Sequence, residues 1–289
     1  MTIPQSDKAP QAAKAEAFRK LHDASEAFIL PNAWDPGSAK LLAASGFPAL
    51  ASTSAGIAYA LGRPDASSAL SREENLTALA AIAAAVELPV SADLEAGYGE
   101  APEAAAETIR LSAEAGAVGG SIEDVAYDPE PRLLDADLAA ERIAAAAEAA
   151  DGTGFAYTLT ARSEAFLVGH PDPLAEAVRR LNLFREAGAH CLYAPGVKDL
   201  DSIAVLAREV DGPLNVVMGL AGAPLSMARL AAVGVKRVSV GGCLMRAALG
   251  TLSRAAAEMR EPGTFGFAAE AIADAELTAF FARGGEAPR

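Results

Sequence analysis

The sequence predicts a closed (β/α)8 barrel, with a doubly wound open sheet as the lesser alternative. Three observations predict it. Short Val/Ile/Leu-rich runs alternate with longer Ala-rich amphipathic runs, the pattern of parallel βα units. The alternation repeats eight times, and several helical runs end in a small-residue and Gly step just before the next strand. Gly can take the left-handed conformation that closes a helix and returns the chain to the sheet.

The predicted strands are Ala27–Asn32, Ala49–Thr53, Val90–Asp93, Gly119–Glu123, Ala156–Thr160, Cys191–Ala194, Leu214–Met218 and Arg237–Val240. Between them the periodicity predicts helices at Gly37–Ala44, Arg72–Val86, Ala101–Glu114, Asp137–Ala149, Pro173–Ala187, Asp199–Glu209, Pro224–Ala232 and Leu244–Glu258. The Gly steps are Ser45-Gly46-Phe47, Ala115-Gly116-Ala117, Ala187-Gly188-Ala189 and Val233-Gly234-Val235. After the Pro262-Gly263 break, Phe265 to Ala282 reads as one further helix, apolar at Phe267, Ile272, Leu277 and Phe281. Its apolar face must be covered, by its own barrel or by a partner subunit. The first dozen residues and the tail from Gly284 to Arg289 read as frayed. No linker divides the chain, so 1–289 is read as one barrel domain with 262–289 as a C-terminal extension.

Composition narrows the function. A formal charge of −14 without clustered Lys and Arg argues against nucleic acid as a partner. Only two cysteines are present, Cys191 and Cys243, both in apolar runs, so small buried residues in a reducing compartment are expected rather than a disulfide framework. Met1 to Glu16 lacks the apolar core of a secretory signal, and no run approaches the roughly 18 apolar residues of a membrane span. A soluble cytoplasmic protein acting on a small molecule is the expectation.

In a barrel of this kind, function sits where strands end and βα loops begin. Those ends are where the polar residues collect: Asn32-Ala33-Trp34-Asp35, Ser52-Thr53-Ser54-Ala55-Gly56 followed by Asp65, Asp93 and Glu95, Glu123-Asp124, Arg162-Ser163-Glu164, Asn215, and Gly241-Gly242. In Leu88-Pro89-Val90-Ser91-Ala92-Asp93-Leu94-Glu95-Ala96-Gly97-Tyr98-Gly99 either a buried strand delivers two acids to one face, an arrangement that calls for a compensating cation, or the acids sit in a solvated loop with Gly97 and Gly99 as turn glycines, or they join a rim salt-bridge cluster around Arg162. Oxygen ligands that leave room for water suit Mg2+, with Mn2+ as an alternative, whereas Zn2+ would want His or Cys, of which only His170 lies near. Arg162 either pairs with Glu164 or holds a substrate carboxylate or phosphate by two hydrogen bonds. Thr53, Ser54 and Ala55 offer hydroxyls and N–H groups for a carboxylate. Trp34 is rim packing or a pocket wall.

These residues resemble the isocitrate lyase/phosphoenolpyruvate mutase superfamily. The likeness rests on Pro31-Asn32-Ala33-Trp34-Asp35, Gly62-x-Pro64-Asp65, Asp93-x-Glu95-x-Gly97-Tyr98-Gly99, Ile122-Glu123-Asp124, Thr160-Ala161-Arg162-Ser163-Glu164 and Val240-Gly241-Gly242, between about Phe28 and Gly250. The resemblance implies that Asp93 binds Mg2+, with Asp65, Glu95 and Glu123 reaching it directly or through water. It implies that Thr53, Ser54 and Ala55 hold the carboxylate of a 2-oxo acid, and that Arg162 holds its distal acidic group. It also implies a homo-oligomer, a dimer or tetramer, with the C-terminal helical segment exchanged between subunits. The shared chemistry makes or breaks a bond beside a 2-oxo acid through an enolate stabilised by Mg2+.

Two departures bear on the reaction. Where the carbon–carbon lyases carry a Lys-x-Cys-Gly-His loop, this chain reads Asp124-Val125-Ala126-Tyr127-Asp128-Pro129-Glu130-Pro131-Arg132-Leu133, which also differs from the Lys-Thr-Asn loop of phosphoenolpyruvate mutase. Glu95 stands where the mutases have Asp. The expectation is a Mg2+-dependent decarboxylase or retro-aldol lyase acting on a small 2-oxo acid or hydroxy-diacid. Arg162, Glu123 and Tyr127 are its catalytic candidates, Trp34 and Asn215 join the substrate-binding set, and Val125 to Leu133 is read as a gating loop. The rival expectations are a phosphonomutase or C–C hydrolase on the same scaffold, and a 2-oxo acid binding protein without turnover.

Overall fold

A computed structural model describes residues 8–65, 69–127, 130–220, 222, 224–283 and 287. In chain order, α1 (Lys8–Asp23), β1 (Phe28–Leu30), β2 (Asn32–Ala33), α2 (Pro36–Ala44), β3 (Leu50–Ser52), α3 (Ser54–Ala60), α4 (Arg72–Ala84), β4 (Val90–Asp93), α5 (Pro102–Glu114) and β5 (Gly119–Glu123) form the first half. A small hairpin follows, β6 (Val125–Ala126) with β7 (Arg132–Leu133), then α6 (Ala136–Asp151), β8 (Thr158–Arg162), α7 (Pro173–Glu186), β9 (Cys191–Tyr193) and α8 (Leu200–Glu209). The chain ends with β10 (Leu214–Val217), α9 (Met227–Ala232), β11 (Arg237–Ser239), α10 (Cys243–Arg260), a 3-10 turn at Gly266–Glu270 and α11 (Asp274–Arg283).

The main sheet is parallel throughout and runs β1-β11-β10-β9-β8-β5-β4-β3-β2. Because β1 and β2 are one chain segment broken at Pro31, this order is a ring. Phe28–Leu30 pairs with β11 on one side, and Asn32–Ala33 pairs with β3 on the other. Asn32 fastens the seam near its upper end: its Nδ2 donates to Ser52 O at 2.7 Å, and its Oδ1 accepts from the N–H groups of Val240 at 3.0 Å and Gly241 at 2.8 Å. The predicted eight-fold barrel is therefore the observed one.

Local chemistry explains the element ends. Asp35 and Ser71 form capping boxes at α2 and α4, and Asp135, Asp172 and Asp199 cap α6, α7 and α8. The four Gly steps sit at φ of 85° (Gly46), 101° (Gly116), 104° (Gly188) and 96° (Gly234), where any side chain would be strained. One continuous core lies between sheet and helices, including Leu79, Ile82, Ile109, Leu181 and Leu206, all fully buried. Each such aliphatic side chain contributes about 1.5–3 kcal/mol on burial.

The structure corrects the sequence reading in three places. The first dozen residues are not all frayed: from Lys8 they form α1, which covers the N-terminal end of the barrel through Ala15, Phe18 and His22. Gln11 Nε2 anchors it on the carbonyls of Ala113 (2.7 Å) and Ala117 (2.8 Å). The fifth barrel strand runs two residues further than predicted, to Arg162, because Glu123↔Arg162 and Arg162↔Tyr193 continue the ladder. The segment predicted as one helix from Phe265 to Ala282 is a 3-10 turn, a break and α11, in which only Phe280 is buried. Of the tail read as frayed, residues 284–286 and 288–289 lie outside the described residues.

Candidate active site

At the C-terminal end of the barrel lies a cavity of about 340 Å³, walled by residues from the ends of β3, β4, β5, β8, β9, β10 and β11 and by the start of α10. Asp93 is the last residue of β4. Its Oδ2 accepts from Ser54 N–H (3.0 Å) and Ser54 Oγ (2.9 Å), and its own N–H donates to Ser52 Oγ (2.9 Å). Its Oδ1 is sealed from solvent without a hydrogen-bond partner and lies 3.9 Å from Arg162 Nη1. Thr53 caps α3 by accepting from Gly56 N–H, while Asp93 takes Ser54 N–H, which leaves Ala55 N–H as the first-turn donor of α3 outside both bonds, on a residue that lines the cavity. Gly56 permits this tight entry, since a Cβ there would meet Thr53 Cγ2 at 2.6 Å.

Arg162 sits at the centre of the acids. Its Nη1 contacts Glu123 Oε1 at 2.8 Å, its Nε pairs with Glu164 Oε1, and its guanidinium lies 5.1 Å from the centroid of the Tyr193 ring. Tyr127 donates its hydroxyl to Glu123 Oε2 at 2.6 Å. Asp65, Asp93, Glu95, Glu123 and Glu164 thus share the cavity wall with this mostly buried guanidinium and the exposed one of Arg246. Their protonation behaviour reflects the imbalance. Burial, then the charges of Asp93, Glu123 and Asp65, push Glu95 up to about 8. Burial also raises Glu123 and Glu164, against the pull of Arg162. The Tyr127 hydroxyl is raised by burial and by the facing carboxylates, so it stays protonated at neutral pH.

The structure brings together Thr53, Ser54, Ala55, Asp65, Asp93, Glu95, Glu123, Tyr127 and Arg162 around one cavity. Trp34 is not part of it; its side chain packs on Ile57, Ala58 and Leu70. Asn215 lies below, inside the barrel, bonded to Arg237 Nε (2.9 Å) and Ser239 Oγ (3.1 Å). Asp124 turns away, accepting from Glu164 N–H (2.8 Å) and pairing with Arg180 Nη1 (3.3 Å). His170 accepts from Asp172 N–H (3.2 Å) and takes no part in the cavity. Cys191 is buried as expected, whereas Cys243 lines the cavity.

The segment Val125 to Leu133 is not a free loop at its base. Val125 pairs with Leu133 and Ala126 with Arg132, and residues 128–129 lie outside the described residues. Sequence reasoning missed Arg246, which lies beyond the eighth strand end on α10. It lines the cavity and donates to Gly219 O at 3.2 Å, with no carboxylate partner among the described residues. Its signal was its place one turn beyond Gly241-Gly242.

Among the described residues no group of three or more His, Cys, Asp or Glu side chains is arranged to hold a metal ion by itself, and no helix is long and apolar enough to cross a membrane. The unpartnered Asp93 Oδ1 nevertheless fits a hydrated Mg2+, which binds through one or two carboxylates and keeps several waters.

The phosphoenolpyruvate phosphomutase family model matches residues 18–260. A solved Burkholderia cenocepacia J2315 structure, described by class alone as a lyase/mutase, is 53% identical with a TM-score of 0.93, covering 96% of this chain and 100% of that one. The oxaloacetate decarboxylase of Chromohalobacter salexigens is 32% identical over 78% of this chain and 77% of its own. A phosphonopyruvate hydrolase solved in complex with oxalate and Mg2+ is 28% identical with a TM-score of 0.79, covering 93% and 98%. The chain belongs to the phosphoenolpyruvate mutase family, within the isocitrate lyase/phosphoenolpyruvate mutase superfamily.

Proposed function

We propose that the chain is a Mg2+-dependent enzyme that cleaves a carbon–carbon bond of a small 2-oxo diacid by decarboxylation, or of a hydroxy-diacid by a retro-aldol route, breaking the bond one carbon removed from the 2-oxo group so that the electron pair is left as an enolate. The observation that carries this is the acid excess: five carboxylates line the cavity against two guanidiniums, Arg246 and Arg162, the latter with Nη1 and Nε already taken, and one Asp93 oxygen has no hydrogen-bond partner. Asp93 would hold the cation, with Asp65, Glu95 and Glu123 reaching it through water. When bound, Mg2+ (or Mn2+) supplies positive charge to the carboxylate and 2-oxo oxygens and stabilises the charge that develops as the bond breaks. The oxaloacetate decarboxylase and phosphonopyruvate hydrolase relatives support both the substrate class and the cation.

The chain's own groups then have separate tasks. Ala55 N–H, with the hydroxyl-lined turn at Thr53 and Ser54, receives the 2-oxo acid carboxylate. The distal acidic group goes to Arg246 rather than to Arg162, because Glu123 and Glu164 already occupy Arg162 Nη1 and Nε, whereas Arg246 has no carboxylate partner among the described residues. Leu167, Val217, Leu220 and Val240 form an apolar wall that limits water. Tyr127, protonated and bonded to Glu123, is the acid that returns a proton to the product carbon. This pair favours turnover over silent binding.

A phosphonate would pair with Arg246 as well as a carboxylate does, so cleavage of a 2-oxo phosphonate is the second reading, favoured by the hydrolase likeness. The assembly belongs to the proposal too. Leu252 and Phe265, exposed on α10 and just beyond it, support a homo-oligomer that exchanges the C-terminal segment between subunits. The expected setting is cytoplasmic, which suits two free thiols. The test is a mass-spectrometric depletion screen over small 2-oxo and 2-hydroxy acids and phosphonates, with Mg2+ and with a chelator. A chelator-sensitive loss giving a shortened carbon chain is expected. An isomer or inorganic phosphate would replace the lyase reading, and no depletion would refute turnover.

A further inference from the structure

Arg142, on α6, is only 1% exposed, yet its three acceptors are all backbone carbonyls. Nη1 donates to Glu123 O at 3.0 Å; Nη2 donates to Ala96 O and, at 3.2 Å, to Gly99 O; Nε is buried without a partner. One side chain therefore joins the end of β5, which carries Glu123, to the turn after β4, which carries Glu95. That turn is held in an unusual shape. Glu95 (φ 48°) and Tyr98 (φ 59°) are the only non-glycine residues with positive φ among the described residues, and Gly97 between them is at 76°. A residue with a side chain persists in the left-handed region only where surroundings over-determine it. Here the restraints are Arg142 on Ala96 and Gly99, and Asn75 Nδ2, which donates to Tyr98 Oη (2.6 Å) and Asp93 O (2.8 Å).

A buried guanidinium is a costly way to fill space, and an apolar side chain of similar size would pack an Ala-rich helix against the barrel at less cost. We infer that Arg142 is a positioning residue: it clamps the strained Glu95–Gly99 turn to the end of β5, so that Glu95 and Glu123 are presented together to the cation. This rests on the metal reading above, for which Asp93, Glu95 and Glu123 face the ion. No contact of Arg142 with substrate is implied.

The test compares wild type with Arg142→Met, Arg142→Lys and Leu206→Ala, the last a buried residue of α8 away from the site. Mn2+ affinity is read by electron paramagnetic resonance and amide exchange by mass spectrometry, both on the full chain. Arg142→Met should weaken Mn2+ binding by about 10–100-fold, the usual cost of losing a partner behind a ligand, and should speed exchange at residues 95–99 in the metal-free protein. Arg142→Lys, which keeps one or two of the bonds, should fall between. Leu206→Ala should lower the melting temperature while leaving both readouts at the wild-type value. Wild-type Mn2+ affinity and exchange in Arg142→Met, or the same losses in Leu206→Ala, would overturn the clamp. If the wild-type chain itself binds no Mn2+, the metal reading falls; the clamp on the turn is then sustained by faster exchange in Arg142→Met and overturned by unchanged exchange.

Discussion

His22 and Arg237 make a pH-dependent contribution to stability that can be worked from the structure. His22 is 3% exposed on the barrel-facing side of α1; its Nδ1 meets Phe18 O at 2.9 Å, and its Nε2 lies 3.1 Å from Arg237 Nη1. The carbonyl fixes Nδ1 as the protonated nitrogen, and Nε2 then accepts from the guanidinium. A second proton would have to sit against a buried cation, so burial first and Arg237 second lower His22 from 6.5 to about 3. The unfolded chain takes up this proton near pH 6.5 and the folded one only near pH 3, so the unfolded state binds more protons in between. Stability must fall as pH drops below 6.5, by up to about 1.4 kcal/mol per pH unit, until the folded value is reached. Between pH 7 and pH 4.5 the loss from this residue is about 2–3 kcal/mol. Carboxylates titrate in the same range, so the assay is a comparison: urea unfolding of wild type and His22→Gln at pH 7, 6, 5 and 4.5. The wild-type curve should fall more steeply by about one proton per molecule near pH 5. Parallel curves would refute the buried, neutral histidine.

Other consequences concern the site. Asp93→Ala removes the bare oxygen and should abolish Mg2+ binding and turnover together; unchanged Mg2+ affinity by calorimetry would contradict the assignment. Arg246→Met should raise KM for a diacid by about 10-fold or more while leaving Mg2+ affinity within twofold of wild type, and steady-state kinetics checks this. Tyr127→Phe should lower kcat by about 100-fold with KM and Mg2+ affinity nearly unchanged; an unaltered kcat would remove Tyr127 from the proton transfer. Cys191→Ser, buried in the barrel wall, should leave metal binding and turnover largely intact.

The barrel was legible because its signals are local. Each buried strand is a short apolar run, and the Gly46, Gly116, Gly188 and Gly234 steps mark helix ends by backbone geometry that only a few residues tolerate. The acids at strand ends were legible for the same reason: Asp93 closes a strand whose apolar part is already fixed, although Glu95, read as its strand partner, lies in the turn beyond at φ 48°. What escaped depends on contacts remote in sequence. Arg162 looked like the start of a loop because its place in the ladder depends on Glu123 and Tyr193 beside it. Asn215 and Trp34 sat at the right level of the sequence pattern, yet one turns to Arg237 beneath the cavity and the other to Ile57 and Leu70 behind it. Arg142 and Arg180 sit on helices where no local signal singles them out, and the fold turns both inward onto backbone carbonyls and Asp124. Helix α1 did carry a signal in Ala15, Phe18 and His22, three and four residues apart, but its polar surroundings masked it.

The central claim is that one cavity binds a cation and a 2-oxo acid together, and calorimetric titration with oxalate, a small planar dianion resembling that end of the substrate, tests it most directly. The account predicts tight oxalate binding with Mg2+, none with a chelator, and none in Asp93→Ala with or without Mg2+. Oxalate binding of equal strength in the presence of chelator, or retained in Asp93→Ala, would contradict it.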